Sequence, residues 1–85
     1  LKNIVLENNI ILSKTYSVGS VYLLEMTEEM LAIIAYDKND NPLYSQGFFY
    51  NENTKKKVMK TAKSYFKKIQ DCLYQKKIEL IEEIE

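Results

Sequence analysis

Short apolar runs separated by polar breaks occupy the first fifty residues, and a helical period takes over after them. Ile4-Val5-Leu6 and Ile10-Ile11-Leu12 flank Glu7-Asn8-Asn9. Asparagine tolerates positive φ, so Asn8-Asn9 predicts a hairpin turn between two strands. The second strand extends to about Ser17, where Gly19-Ser20 interrupts it.

Residues 21–36 admit two readings. As a helix capped by Ser20, they contain good helix formers in Leu, Glu, Met and Ala. As a hairpin, they turn at Thr27–Glu29. The β-branched and aromatic pairs Val21-Tyr22 and Ile33-Ile34 favour the hairpin, and the next segment needs a strand partner. Asp37-Lys38-Asn39-Asp40-Asn41-Pro42 is dense turn chemistry, and Leu43 to Tyr50 follows as a strand. Alternation puts Leu43 and Phe49 on one face and Tyr44, Phe48 and Tyr50 on the other. Gly47 marks an expected bulge.

Asn53 or Thr54 is the expected N-cap of a helix. Val58, Ala62, Tyr65, Phe66, Ile69, Cys72 and Leu73 recur on one side of it, with Lys56, Lys60, Lys63 and Lys67 opposite. Leu80 and Ile84 continue the Leu73 phase. A helix over 55–85 would span roughly 46 Å. A sheet of four or five strands is only about 20 Å wide. The helix therefore either continues past its sheet or breaks near Tyr74–Lys77 and folds back. The expected fold class is α+β: an antiparallel β-meander of four to five strands over about 3–50, with a long C-terminal amphipathic helix, about 54–73, on one face. No linker or repeat divides residues 1–85, so one domain is expected.

In the segment Met30–Tyr36, both alternating faces are apolar. One helix covers one face. The other requires the folded-back tail, the N-terminal hairpin or another chain.

Composition narrows the chemistry. The chain has no histidine, arginine or tryptophan, and one cysteine. Without histidine the commonest general acid–base is missing, and triads of the usual kind are excluded. Without arginine there is no bidentate clamp on phosphate or guanine. Two glycines, 19 and 47, cannot build a phosphate loop. Adjacent Glu28 and Glu29 at a turn read as solvated. The chain is accordingly expected not to be an enzyme, with no cofactor, no metal and no small-molecule substrate.

Two motif fragments fail on inspection. Asp37-Lys38-Asn39-Asp40-Asn41 opens like a calcium loop, but Pro42 stands where glycine is needed and Phe48 where glutamate is needed. Gln46-Gly47-Phe48-Phe49-Tyr50 lacks the second aromatic strand and the β-α-β-β-α-β order of an RNA-recognition sheet. Lone Cys72 sits on the apolar helix face and reads as core. A single thiol fits a reducing, cytoplasmic setting. Residues Leu1 to Glu7 show no signal-peptide pattern, and the longest apolar run falls far short of the roughly 18 residues of a membrane span. Lysine at every basic position, with abundant Asn and Ile, suggests an AT-rich bacterial source.

Charge layout stands out. Twelve lysines balance twelve acids, yet residues 55–68 hold seven lysines and no acid. Residues 1–54 carry three lysines against seven acids, and residues 71–85 carry two against five. On a helix running to 85, lysines would crowd the positive end of the dipole, and Glu79, Glu82, Glu83 and Glu85 the negative end. Helix stability does not explain that order. A solvated face, an antiparallel homodimer pairing basic with acidic halves, or an anionic partner would.

The expected function is that of a small non-enzymatic binding protein that occludes or bridges a protein partner, such as a phage- or plasmid-borne inhibitor, with Tyr44, Phe48 and Tyr50 as anchors. The alternative is a nucleic-acid-binding module using Lys56, Lys60, Lys63 and Lys67.

Overall fold

The computed structural model describes residues 3–27 and 29–84. A short helix α1 (Asn3–Glu7) leads into four strands: β1 (Asn9–Tyr16), β2 (Gly19–Thr27), β3 (Met30–Asp37) and β4 (Pro42–Phe49). The long helix α2 (Lys55–Tyr74) follows, then a 3₁₀ helix at Ile78–Glu83. The strands form an antiparallel meander in the order β1-β2-β3-β4. α2 packs mainly over β2 and β3, the two central strands. The architecture is the expected α+β meander with a C-terminal helix, in its four-stranded form.

Residues 21–36 form the hairpin. Glu28, and with it the Glu28–Glu29 carboxylate pair, lies outside the described residues. The helical alternative loses because both faces of this hairpin are needed as core. Val21, Leu23, Leu31, Ile33 and Ala35 pack under α2 with Ala62, Phe66, Ile69 and Leu73. Leu24, Ile34 and Tyr36 form a second cluster on the opposite face. A helix would have presented one stripe to one layer; strands present two.

That second cluster is closed by Val5 of α1. The N-terminal hairpin is thus corrected: Asn3–Glu7 is helical and only β1 is a strand. The Asn8 side chain donates to the Ile4 carbonyl at 2.7 Å, so it caps α1 instead of turning a hairpin. As a helix the segment drops Val5, 3% exposed, onto the sheet. As an edge strand it would have left that face open.

Three register shifts bend the sheet, at Ile10/Leu12, Glu25/Thr27 and Ala35/Tyr36. The third corrects two expectations about β4. Tyr44 pairs with Ala35 and Pro42 with Tyr36, so Leu43 is the extra residue of a bulge. It joins Tyr44 and Phe48 against the α2-side core, where strict alternation had placed it opposite them. Gly47 pairs in register with Ala32 and marks no bulge. Its missing side chain makes room for Met30, whose Cε lies 2.6 Å from where a Cβ would be.

Thr54 is the N-cap of α2 but its side chain caps no helical N–H, and Asn51 instead closes the turn that leads into the helix. Asn51 Oδ1 accepts from the backbone N–H groups of Asn53 and Thr54 at 2.9 and 3.1 Å. The helix ends where the sheet ends. Lys76 adopts the left-handed region at φ 60°. The Lys77 N–H then bonds the Cys72 carbonyl at 2.8 Å, and the Lys76 N–H bonds the Leu73 carbonyl at 3.1 Å. This is a Schellman stop with lysine at the position glycine usually holds. The 3₁₀ helix turns back and buries Ile81 in the α2-side core, at 1% exposed. The extension of the Leu73 helical phase to Leu80 is therefore not realised.

Candidate binding surfaces

The break at Lys76 divides the charges between two segments. The acids Glu79, Glu82 and Glu83 sit on a separate, folded-back segment, not on the C-terminal turns of α2. Antiparallel pairing of two α2 helices, basic half to acidic half, loses its acidic half. The basic half keeps its oddity: Lys55, Lys56 and Lys57 occupy the first turn, with no acid there. Each costs roughly 0.3–1 kcal/mol against the dipole where exposed.

The seven lysines of α2 divide by what they touch. Lys55 closes the core's end: its Nζ lies 3.8 Å from a Glu25 carboxylate oxygen and 5.8 Å from the Tyr50 ring centre. Lys68 lies over the Tyr65 ring at 5.2 Å. Lys67 pairs with Asp71 one turn on, at 3.4 Å. Lys56, Lys60 and Lys63 are exposed and make no ion pair with any described residue.

The predicted stripe Lys56, Lys60, Lys63 and Lys67 is thus one continuous row, about 16 Å long from first to last at helical rise. Lys63 and Lys67 precede Gln70 by two turns and one, on its flank of the helix. Gln70 donates to the Tyr16 hydroxyl of β1 at 3.1 Å. The row itself runs along the outward side of α2, opposite the core face. α2 is anchored beneath it by Ala62, Phe66 and Ile69, so the charges ride on a fixed element.

The aromatic residues of β4 are placed differently. Tyr50 is 8% exposed and belongs to the core. Its hydroxyl donates weakly to Glu25 and the Thr27 carbonyl, each at 3.5 Å. Tyr44 and Phe48 are half-buried against the α2-side core. Phe48 meets Tyr65 edge-on. The Tyr44 hydroxyl donates to Gln46 Oε1, and burial followed by the nearby Tyr65 pushes its pKa up. These three side chains spend most of their surface within the protein, and Tyr50 has almost none left for a partner.

Phe49, on the opposite face, is 75% exposed, and Leu6 of α1 is 79% exposed. Alternation had already set Phe49 apart from Tyr44 and Phe48. Its exposure was not legible, because it depends on α1 stopping short of β4. A groove of about 380 Å³ opens between the end of β4 and the start of α2, lined by Phe48, Phe49, Thr54, Lys57, Val58 and Thr61. Lys57 and Thr61 therefore lie on the β4 side of the helix.

The 37–41 turn is self-contained. Asp37 Oδ1 accepts from the N–H groups of Asn39 and Asn41 at 2.8 and 2.9 Å, and Oδ2 accepts from the Asn41 side chain. The Asn41 backbone bond leads in holding the Asp37 carboxyl below its ordinary value. Its oxygens are committed to the turn. Among the described residues, no cluster of Cys, Asp or Glu is arranged to hold a metal ion. Among them, too, no helix is long and apolar enough to cross a membrane. No family model, curated protein or solved structure matches the chain.

Proposed function

We propose that this protein is a small non-enzymatic binding protein that occludes a partner, docking the lysine row of α2 on an acidic protein surface. One observation carries the reading. Lys56, Lys60 and Lys63 stand exposed and unpaired within the described residues, in a row on a rigid helix, where Lys56 opposes the dipole and neighbouring lysines three and four apart repel. A partner's carboxylates would offset that cost and steer association. Lysine heads on flexible stems suit a patch of carboxylates of unspecified geometry, whereas planar recognition calls for arginine.

The second reading is a phosphate backbone on the same row. The uninterrupted like charge favours it, and the absence of arginine leaves such binding with little base preference.

The experiment is a paired one. Tagged wild-type protein and a Lys60→Glu/Lys63→Glu variant are used to capture partners from nuclease-treated bacterial lysate, identified by mass spectrometry. Both are also titrated with single- and double-stranded DNA and RNA at low salt. An acidic protein retained by the wild type and released by the variant supports the first reading. Salt-sensitive nucleic-acid binding lost in the variant moves the assignment to the second. Indistinguishable behaviour of the two proteins in both assays overturns the role of the row.

A further inference from the structure

The groove between the end of β4 and the start of α2 has apolar walls in Phe48, Phe49 and Val58. Its volume of about 380 Å³ admits one large side chain. Phe49 is 75% exposed, so no described segment of the chain covers that wall. The other walls are fixed. Phe48 is held edge-on by Tyr65, and Val58 packs on the α2-side core.

Among the described residues, Lys57 is the one charged side chain lining the groove. It is exposed and pairs with no described acid. Thr61, one turn on, commits its hydroxyl to the Lys57 carbonyl at 3.1 Å. Lys60 stands three residues from Lys57 and four from Lys56, so the three are neighbours on the first turns of the helix. The positive end of the α2 dipole lies at the same end. Two acids occupy the adjoining loops: Glu52, and Glu29, whose carbonyl accepts from the Tyr50 N–H at 3.0 Å. Neither lines the groove. Glu25 is answered by Lys55 at 3.8 Å. An apolar slot thus borders a basic rim, and the rim joins the lysine row through Lys57 and Lys60.

We propose that this groove is the anchor pocket for the acidic partner of the lysine row. It takes one aromatic or large aliphatic side chain from a partner segment whose flanking carboxylates meet Lys57, Lys60 and Lys56. The inference rests on the acidic-partner reading and adds a shape-selective contact that lysines alone lack. Exposed lysine–carboxylate pairs contribute little individually, whereas buried apolar anchors dominate interfaces. An aromatic anchor brings about 150–250 Å² of its own surface to be buried. A phosphate backbone makes no use of an apolar slot, and base stacking needs an open ring face, which half-buried Phe48 does not offer.

Two synthetic peptides test the pocket by fluorescence anisotropy at low salt: Asp-Glu-Glu-Phe-Glu-Glu-Asp, and the same sequence with alanine at its centre. The phenylalanine peptide is expected to bind about tenfold more tightly. Thr61 is exposed, so Thr61→Trp leaves the fold intact, judged by an unchanged circular dichroism spectrum, and fills the groove from within. It is expected to bring the two peptides to equal affinity without changing their salt dependence. Lys60→Glu/Lys63→Glu is expected to weaken both peptides and keep their ratio. Equal wild-type affinity for the two, or a phenylalanine preference that survives Thr61→Trp, overturns the pocket and leaves the row standing. A preference lost in Thr61→Trp, with binding untouched by the lysine exchange, keeps the pocket and overturns the row. Binding of neither peptide overturns both. Oligo-dT bound more tightly than the phenylalanine peptide, and released by Phe49→Ala, overturns the proposal in favour of a stacked base. A free-protein dimer that Thr61→Trp dissociates in sedimentation overturns it in favour of a second copy.

Discussion

The ring of Phe48 on β4 meets the ring of Tyr65 on α2 edge-on, with centres 5.4 Å apart and planes 88° from parallel. This contact fastens the helix to a strand it otherwise barely covers. Edge-to-face pairs contribute about 0.5–1.5 kcal/mol beyond the area they bury. Phe48→Ala removes the pair and opens the neighbouring groove further. It is expected to lower unfolding free energy by about 2–3 kcal/mol, measured by urea denaturation. A loss below about 0.5 kcal/mol would mean that Phe48 is surface rather than support.

The two glycines are predicted to behave oppositely. A Cβ on Gly19 would overlap the Tyr36 carbonyl oxygen and press on Leu73 Cδ2 at 3.2 Å. The carbonyl belongs to the β2–β3 ladder and cannot move away cheaply. Gly19→Ala is expected to cost about 2 kcal/mol or more. At Gly47 the obstacle is the flexible end of Met30. Gly47→Ala is expected to cost less than about 1 kcal/mol. Thermal unfolding of the two variants side by side checks the order.

Lys76 pays for a sharp helix stop with a left-handed backbone that a side chain resists. Lys76→Gly keeps the Schellman hydrogen bonds and relieves that strain, while adding freedom to the unfolded chain. The expected net gain is about 0.5–1 kcal/mol, read from the denaturation midpoint. A loss of stability would show that the lysine side chain contributes to the stop.

This residue also explains what the sequence left hidden. The apolar period of α2 from Val58 to Leu73 was plain, since seven positions recur on one face. Its end was not, because neither glycine nor proline marks it. What stops the helix is tertiary: the sheet runs out, and Ile81 gains more from the core than Leu80 would gain from an overhang. The same competition hid α1. Asn8-Asn9 carries genuine turn chemistry, but the exposed second face of β2 and β3 drew Val5 across it. The lysine row, by contrast, was readable in full, because it depends on helical spacing alone.

Cys72 is half-buried, and its thiol is pushed above the ordinary value of 9.0, first by burial and then by Asp71 and Glu79, with Lys77 opposing. The folded state therefore prefers the neutral thiol. That preference contributes fully below the unfolded thiol pKa and is lost as pH rises through the folded one. Iodoacetamide is expected to modify native Cys72 more slowly at neutral pH than the same cysteine in urea, since the thiolate is the reactive form. The native rate should climb at a more alkaline pH than the unfolded rate. Equal rates would place the thiol in open solvent.

Lys60 and Lys63 offer the sharpest separation of fold from function. Both are exposed, neither pairs with a described residue, and neither touches the α2 core. Lys60→Glu/Lys63→Glu is expected to change unfolding free energy by less than about 0.5 kcal/mol per site. The local charge of residues 55–68 nevertheless falls from +7 by four units, to +3. Affinity for an anionic partner should drop about tenfold or more, with a shallower dependence on salt. A variant that folds and still binds with wild-type salt dependence would move the binding surface elsewhere, to the exposed Phe49 and Leu6 of the opposite face.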